Sequence, residues 1–117
     1  MQPQLPMPIQ LWTYRVNIEI VYDADTLHLE IDEGFSQYTR QRVRLARINA
    51  PELATQAGLV ARAFVLAWVR TPGPWAFVIT SHKQDNYGRY LVELWRVADG
   101  ANLSDVLLAT GNAVPYP

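Results

Sequence analysis

Cysteine is absent from this 117-residue chain, which excludes a disulfide framework, a zinc–thiolate site and a cysteine nucleophile. Long apolar runs are missing as well, since no segment approaches the roughly 18 residues needed to span a bilayer. The N-terminal residues also lack the basic start and apolar stretch of a signal peptide. We therefore expect no membrane partner, and the sequence leaves the cellular compartment open.

An excess of charge of one sign is lacking too, because 10 Lys and Arg residues balance 11 Asp and Glu residues, for a net charge of −1. A nucleic-acid-binding face is usually basic, so any such binding must rest on a local cluster. Lysine is almost absent, and arginine supplies nearly all of the positive charge. Arginine binds phosphate bidentately, so this bias is compatible with phosphate contacts, although codon bias is the explanation we prefer for the surface arginines.

The remaining composition is that of a globular protein, with 50% hydrophobic and 18% charged residues. Its length predicts one domain over residues 12–117, after an irregular lead-in over residues 1–11. Alternation of apolar and polar residues predicts five strands, at residues 12–20, 27–32, 38–48, 75–79 and 89–97. Helical spacing predicts one helix at about 55–70 and a short one between Asn102 and Gly111, followed by a non-regular tail.

This order of elements, βββαββα, is that of the OB-fold, a five-stranded Greek-key barrel of the α+β class. Asp23 and Asp25 lie between strands one and two, while Asn49 and Glu52 follow strand three. If strand three lies beside strand two, these two loops converge. Oxygen ligands without cysteine suit a hard cation such as calcium or magnesium. The alternative interpretation of the first segment is a simple turn.

Arginines accompany these acidic loops. Arg44 lies on the same side of its strand as Arg40 and Arg42, and Arg89 follows a tight turn at the start of another strand. Two arginines beside a metal can clamp a phosphodiester and stabilise the charge of its transition state. The alternative is a solvated strand face, which we prefer for Arg40 and Arg42.

Three motifs in fixed order carry a family resemblance: Asp-x-Asp-Thr, then Arg-x-Arg-Leu-x-x-Ile-Asn-Ala-Pro-Glu, then Asp-x-Tyr-Gly-Arg-x-Leu. Together they resemble the staphylococcal nuclease (thermonuclease) family over roughly residues 14–114. Members of that family are OB-fold barrels that hydrolyse phosphodiester bonds of DNA and RNA with calcium. The resemblance implies that Asp25 is a direct calcium ligand, with Asp23 in support. It also implies that Asn49 and the backbone carbonyl of Ala50 complete the metal site.

The same resemblance implies roles for the remaining polar residues. Glu52 matches the residue that activates the attacking water, and Arg44 and Arg89 match two phosphate-binding arginines. Tyr87 matches a tyrosine near the bound phosphate, and Tyr116 matches one that stacks on a base. Without the family, both tyrosines lie in predicted loops and are compatible with base stacking or with a place at the barrel rim.

The chain departs from the family pattern at Asn49, where catalytic members usually carry aspartate, and in its lack of a basic surface. Our leading hypothesis is a monomeric, calcium-dependent nuclease for DNA and/or RNA, because Arg44, Glu52 and Arg89 are all retained. The alternative is a catalytically weak or inactive barrel module that binds nucleic acid or a protein partner. A purely structural, partner-binding barrel is a third hypothesis.

Overall fold

Five strands close into a barrel in the computed structural model, which describes residues 12–84 and 89–116. This confirms the predicted α+β class and is consistent with an OB-fold-like barrel. The strands are β1 (Thr13–Asp23), β2 (Thr26–Gly34), β3 (Gln37–Leu45), β4 (Ile48–Asn49), β5 (Phe77–Gln84), β6 (Tyr90–Arg96) and β7 (Val114–Pro115). The helices are α1 (Gln56–Trp68) and α2 (Leu103–Ala109). The predicted lead-in over residues 1–11 lies outside the described residues.

The barrel follows the order β1-β2-β3-β6-β5 and closes between β5 and β1. All neighbouring strands are antiparallel except β3 and β6, which run parallel. In the β2–β3 pair Thr26 lies opposite Arg44, so the start of β2 is beside the end of β3. The loop before β2 and the segment after β3 therefore emerge at the same end of the barrel.

The apolar face of β1 departs from the simple alternation of its sequence. The alternation that predicts this strand places Trp12 and Ile20 on its apolar face, yet they are 65% and 45% exposed. The register of β1 against β2 shifts between Ile18 and Ile20, which is the mark of a β-bulge. Beyond this bulge Val21 enters the core in place of Ile20. In β2, by contrast, alternate residues are buried as predicted.

Strand three is shorter than predicted, and the tail is more regular. Instead of continuing to residue 48, β3 ends at Leu45, and Arg47 adopts a φ of 72° before β4 begins. The predicted non-regular tail includes β7, which pairs antiparallel with β4. The amide of Tyr116 then donates to the carbonyl of Arg47 at 2.9 Å, so the tail lies against the turn that follows β3.

The β2–β3 hairpin turns at the opposite end of these strands. Its two central residues, Phe35 and Ser36, have φ angles of 53° and 59°, so both adopt the left-handed conformation. Glycine or asparagine usually occupies such positions. The Phe35 side chain is 100% exposed at the apex of the turn.

Both helices are capped by side chains, and the sequence predicts the cap of the second one. Thr55 accepts from the Gly58 amide at 3.0 Å before α1, and Asn102 accepts from the Asp105 amide at 2.9 Å before α2. In α1 the buried residues include Gly58, Ala61 and Val65. Among the described residues, neither helix has the length and apolar character required to cross a membrane.

Gly58 is required by the packing of α1 on the segment before it, because a Cβ at this position would collide with the carbonyl group of Glu52. Alanine gains about 1 kcal/mol of helix propensity over glycine. We expect the collision to outweigh this gain, so that Gly58→Ala lowers the free energy of unfolding by about 2 kcal/mol. Denaturant unfolding measures the change. Leu59→Ala, at an exposed neighbouring position, is the control, and an equal loss in both variants would contradict the proposed packing.

Candidate functional site

The two polar loops predicted to converge are joined through Asp25. Its backbone carbonyl accepts from the Leu45 amide at 2.8 Å, where β3 ends. Its carboxylate oxygen Oδ2 accepts from the Ala50 amide at 2.9 Å, in the segment that follows β4. The loop between β1 and β2 is therefore fastened at two points to the chain that carries Asn49 and Glu52.

Arg44 lies at the centre of this junction. It points away from the barrel interior, yet it is only 9% exposed. Its Nη2 atom donates to Oδ1 of Asn49 at 3.1 Å and lies 3.6 Å from Oδ2 of Asp25. Its guanidinium carbon lies 5.0 Å from the centre of the Tyr116 ring, a cation–π distance. The structure thus brings Asp25, Arg44, Asn49, Ala50 and Tyr116 together.

Asp23 and Asp25 form a carboxylate pair with opposite titration behaviour. Burial, reinforced by the neighbouring Asp25 carboxylate, raises the pKa of Asp23 to about 6. Burial also acts to raise the pKa of Asp25, but hydrogen bonds from Asp23 and from the Ala50 amide, together with the Arg44 charge, lower it overall. Asp25 therefore loses its proton at lower pH than Asp23 does, and added positive charge would lower the pKa of Asp23.

The oxygen atoms at this junction are of the chemical types that bind a hard cation. Asp23 and Asp25 offer carboxylate oxygens, Asn49 an amide oxygen and Ala50 a backbone carbonyl, which are the ligands that calcium and magnesium prefer. The number of charged ligands is low, since no group of three His, Cys, Asp or Glu residues that could hold a metal occurs in the described part of the chain. Arg44 also engages the Asn49 oxygen and faces Asp25. This arrangement predicts weak cation affinity.

Glu52 is placed by its backbone rather than by its side chain. Its carbonyl accepts from the Thr55 amide at 3.0 Å and from the Thr55 hydroxyl at 2.6 Å, which fixes it at the start of α1. Within residues 12–84 and 89–116, no group forms a hydrogen bond or an ion pair with its exposed carboxylate. The carboxylate is therefore accessible to water on the chain segment that follows Asn49 and Ala50.

Arg89 directly precedes β6, which runs parallel to β3 with Leu91 opposite Arg44. Because side chains alternate along a strand, Arg89 shares the face of Leu91 and thus the outer face that bears Arg44. Its side chain is half-buried. Tyr87, predicted to lie near a bound phosphate, is outside the described residues.

Sequence reasoning missed the side chain that holds the turn between β3 and the site. Arg47 donates to both carboxylate oxygens of Glu93, at 2.6 and 2.9 Å, and to Asp105 at 2.9 Å. The same guanidinium reaches the Asn102 cap of α2 at 3.2 Å. The turn is thereby anchored to β6 and α2. Nothing in the local sequence signals this role, because the partners lie 46 to 58 residues away along the chain.

Comparison with known proteins adds no relative, since no family model matches the chain and no curated protein matches it. What bears on function is therefore the order of the three motifs, the barrel architecture and the contacts of Asp25 and Arg44. The first of these is a property of the sequence, and the other two are properties of the structure.

A change at Asn49 tests the cation site directly. Asn49→Asp adds a carboxylate without adding bulk, and calcium affinity rises with ligand charge, so we expect roughly tenfold tighter calcium binding. Calorimetric titration of both forms measures the change without any substrate. Asn112→Asp, which adds the same charge beyond α2, should leave affinity unchanged. Equal affinity of Asn49→Asp and the unaltered protein would show that residue 49 does not face a cation.

Proposed function

We propose that this protein is a metal-dependent nuclease that hydrolyses phosphodiester bonds of DNA and/or RNA at the junction around Asp25 and Arg44. The observation that carries the proposal is the buried Arg44 guanidinium beside Asp25 and Asn49. Its hydrogen bond to Asn49 is the only one it forms within the described residues, so further N–H donors remain for an anion. Packing of the barrel core does not require a buried arginine on the outer face of β3.

The chemistry at such a site follows from charge. A phosphodiester is an anion and repels the lone pair of an attacking water unless positive charge surrounds it. Arg44 and Arg89, on one face of the barrel, offset the charge that builds on the phosphate oxygens. A calcium or magnesium ion, when bound by the oxygens of Asp23, Asp25, Asn49 and Ala50, would supply further positive charge next to the phosphate.

Glu52 has the properties of the general base in this reaction. Its carboxylate is exposed, and its backbone is held in place at the start of α1. It takes the proton of the attacking water as the water oxygen bonds to phosphorus and the bond to the leaving sugar oxygen breaks. No covalent intermediate with the protein is required.

A second function is favoured by the surroundings of Asn49. Its amide oxygen accepts from Arg44, and the Arg44 charge lies 3.6 Å from Asp25. Both contacts disfavour a cation at that point. A barrel that binds nucleic acid or a protein partner with little or no catalysis is therefore the alternative. The two proposals differ in whether the protein generates fragments from a bound substrate.

The nuclease proposal predicts the effects of two substitutions on cleavage. Glu52→Gln retains the volume and removes the base, so turnover should fall about 10²- to 10⁴-fold. Arg89→Ala removes charge stabilisation, which should reduce turnover about 10²-fold. Labelled single-stranded and duplex DNA and RNA, each incubated with calcium, magnesium or chelator, provide the measurement.

Matched controls separate these roles from general effects of charge. Glu33→Gln and Arg70→Ala change an exposed carboxylate and an exposed guanidinium outside the candidate site, and both should retain the original turnover. Unchanged cleavage in Glu52→Gln or Arg89→Ala would show that the assigned role is wrong. Oligonucleotide binding without fragments in any metal would favour the alternative function.

A further inference from the structure

The arginines of the barrel differ in whether a carboxylate neutralises them. Within the described residues, ion pairs with acidic side chains join Arg15 to Asp32, Arg40 to Glu19 and Glu30, Arg44 to Asp25, Arg47 to Glu93 and Asp105, and Arg96 to Asp99. Arg42 is exposed on β3, and no carboxylate within the described residues pairs with it. Its charge is therefore available to an external anion.

Arg42 is nevertheless held in place, by an aromatic ring. Its guanidinium carbon lies 4.1 Å from the centre of the Tyr22 ring, and the His28 ring meets the Tyr22 ring edge-on at 6.4 Å. Stacking on an aromatic face orients a guanidinium while leaving its N–H donors directed towards solvent. Tyr22 immediately precedes Asp23, so this stacked pair adjoins the candidate site.

Arg42 and Arg44 are separated by a fixed distance along β3. Both side chains lie on the outer face of β3 two residues apart, which corresponds to about 7 Å along a strand. Neighbouring phosphates of an extended single strand are separated by a similar distance. Two consecutive phosphates of such a strand can therefore contact Arg44 and Arg42 at the same time.

We propose that Arg42, oriented by Tyr22, is a second phosphate subsite, and that the ligand of this face is an extended single strand of nucleic acid. One phosphate lies at Arg44 and its neighbour at Arg42. The base between them can stack on the solvent-facing side of the Arg42 guanidinium. This inference rests on the proposed function, because it assumes that the phosphate at Arg44 belongs to a nucleic acid.

The phosphate-binding face does not extend beyond Arg42, because the next arginine on that face, Arg40, is neutralised by carboxylates. Arg40 donates to Glu19 at 3.0 Å and lies 3.5 Å from Glu30. These two carboxylates neutralise it and would repel a further phosphate. The face therefore accommodates two phosphates in this direction. Arg40, on the same face and two residues farther from Arg44, provides a control that is ion-paired rather than stacked.

The experiment measures binding in the presence of chelator, so that cleavage does not contribute. Fluorescence anisotropy with a labelled short oligothymidylate gives Kd at several salt concentrations. We expect Arg42→Ala to weaken binding about tenfold, since a hydrogen-bonded charged contact is lost. The slope of log Kd against log salt should fall by about 0.7, the value for one phosphate contact in a single strand.

Three controls accompany this measurement. Arg40→Ala removes the same charge from the same strand but no phosphate contact, so it should weaken binding less than Arg42→Ala does. Tyr22→Leu should weaken binding by losing the orientation of Arg42, whereas Tyr22→Phe retains the ring and should not. A thymidine dinucleotide, with a single phosphate, should bind Arg42→Ala as well as it binds the unaltered protein.

The outcomes distinguish this subsite from the proposed function. If the unaltered protein binds no oligonucleotide in chelator, the subsite is overturned, and the cleavage assay with metal decides the proposed function separately. If it binds but Arg42→Ala has no effect, or Arg40→Ala has an equal one, the subsite is overturned while nucleic-acid binding stands. A duplex that binds as tightly as the single strand, with the same loss in Arg42→Ala, overturns the assignment of an extended single strand.

Discussion

The hydrogen bond from the Ala50 amide to the Asp25 carboxylate is the contact on which the candidate site depends. It joins the loop between β1 and β2 to the segment that leads to Glu52, and it leaves a buried negative charge beside Arg44. Loss of the Asp25 carboxylate would leave Arg44 without its counter-charge, a change that typically costs 3–5 kcal/mol for a buried pair. The same residue, Asp25, therefore holds the segment that leads to Glu52 and supplies the negative charge beside Arg44.

Ion pairing explains how a chain of net charge −1 can present a basic site. Of its 11 acidic side chains, Glu19, Glu30, Asp32, Glu93, Asp99 and Asp105 pair with arginines other than Arg42 and Arg44. Arg42 instead stacks on the Tyr22 ring, and no carboxylate within the described residues pairs with it, while Arg44 faces both Asp25 and Asn49. The distribution of charge, rather than its sum, therefore determines where an anion is attracted.

The barrel could be predicted from the sequence because alternation in β2 and the order of the elements follow from burial of one strand face. The convergence of the Asp25 loop with the segment after β3 was equally predictable, because an antiparallel hairpin places the start of one strand beside the end of the other. The inward face of β1 was predicted wrongly at Ile20, since a bulge leaves no mark in composition.

Other features depend on residues that are distant in the chain. The left-handed conformation of Arg47, which ends β3 early, is held by Glu93 and Asp105 rather than by a local glycine signal. The difference between Arg40 and Arg42 was also hidden, because both follow the same alternation on one strand. Glu19 on β1 and Glu30 on β2 neutralise Arg40, whereas Tyr22 on β1 stacks on Arg42.

The apex of the β2–β3 hairpin is a suitable position for attaching a dye or a surface, because of its location. Phe35 is fully exposed at the end of these strands remote from Thr26 and Arg44. Because the chain contains no cysteine, a single thiol introduced at this apex would be unique in the molecule. Attachment of a dye or a surface through it would leave the face bearing Arg42 and Arg44 directed towards solution.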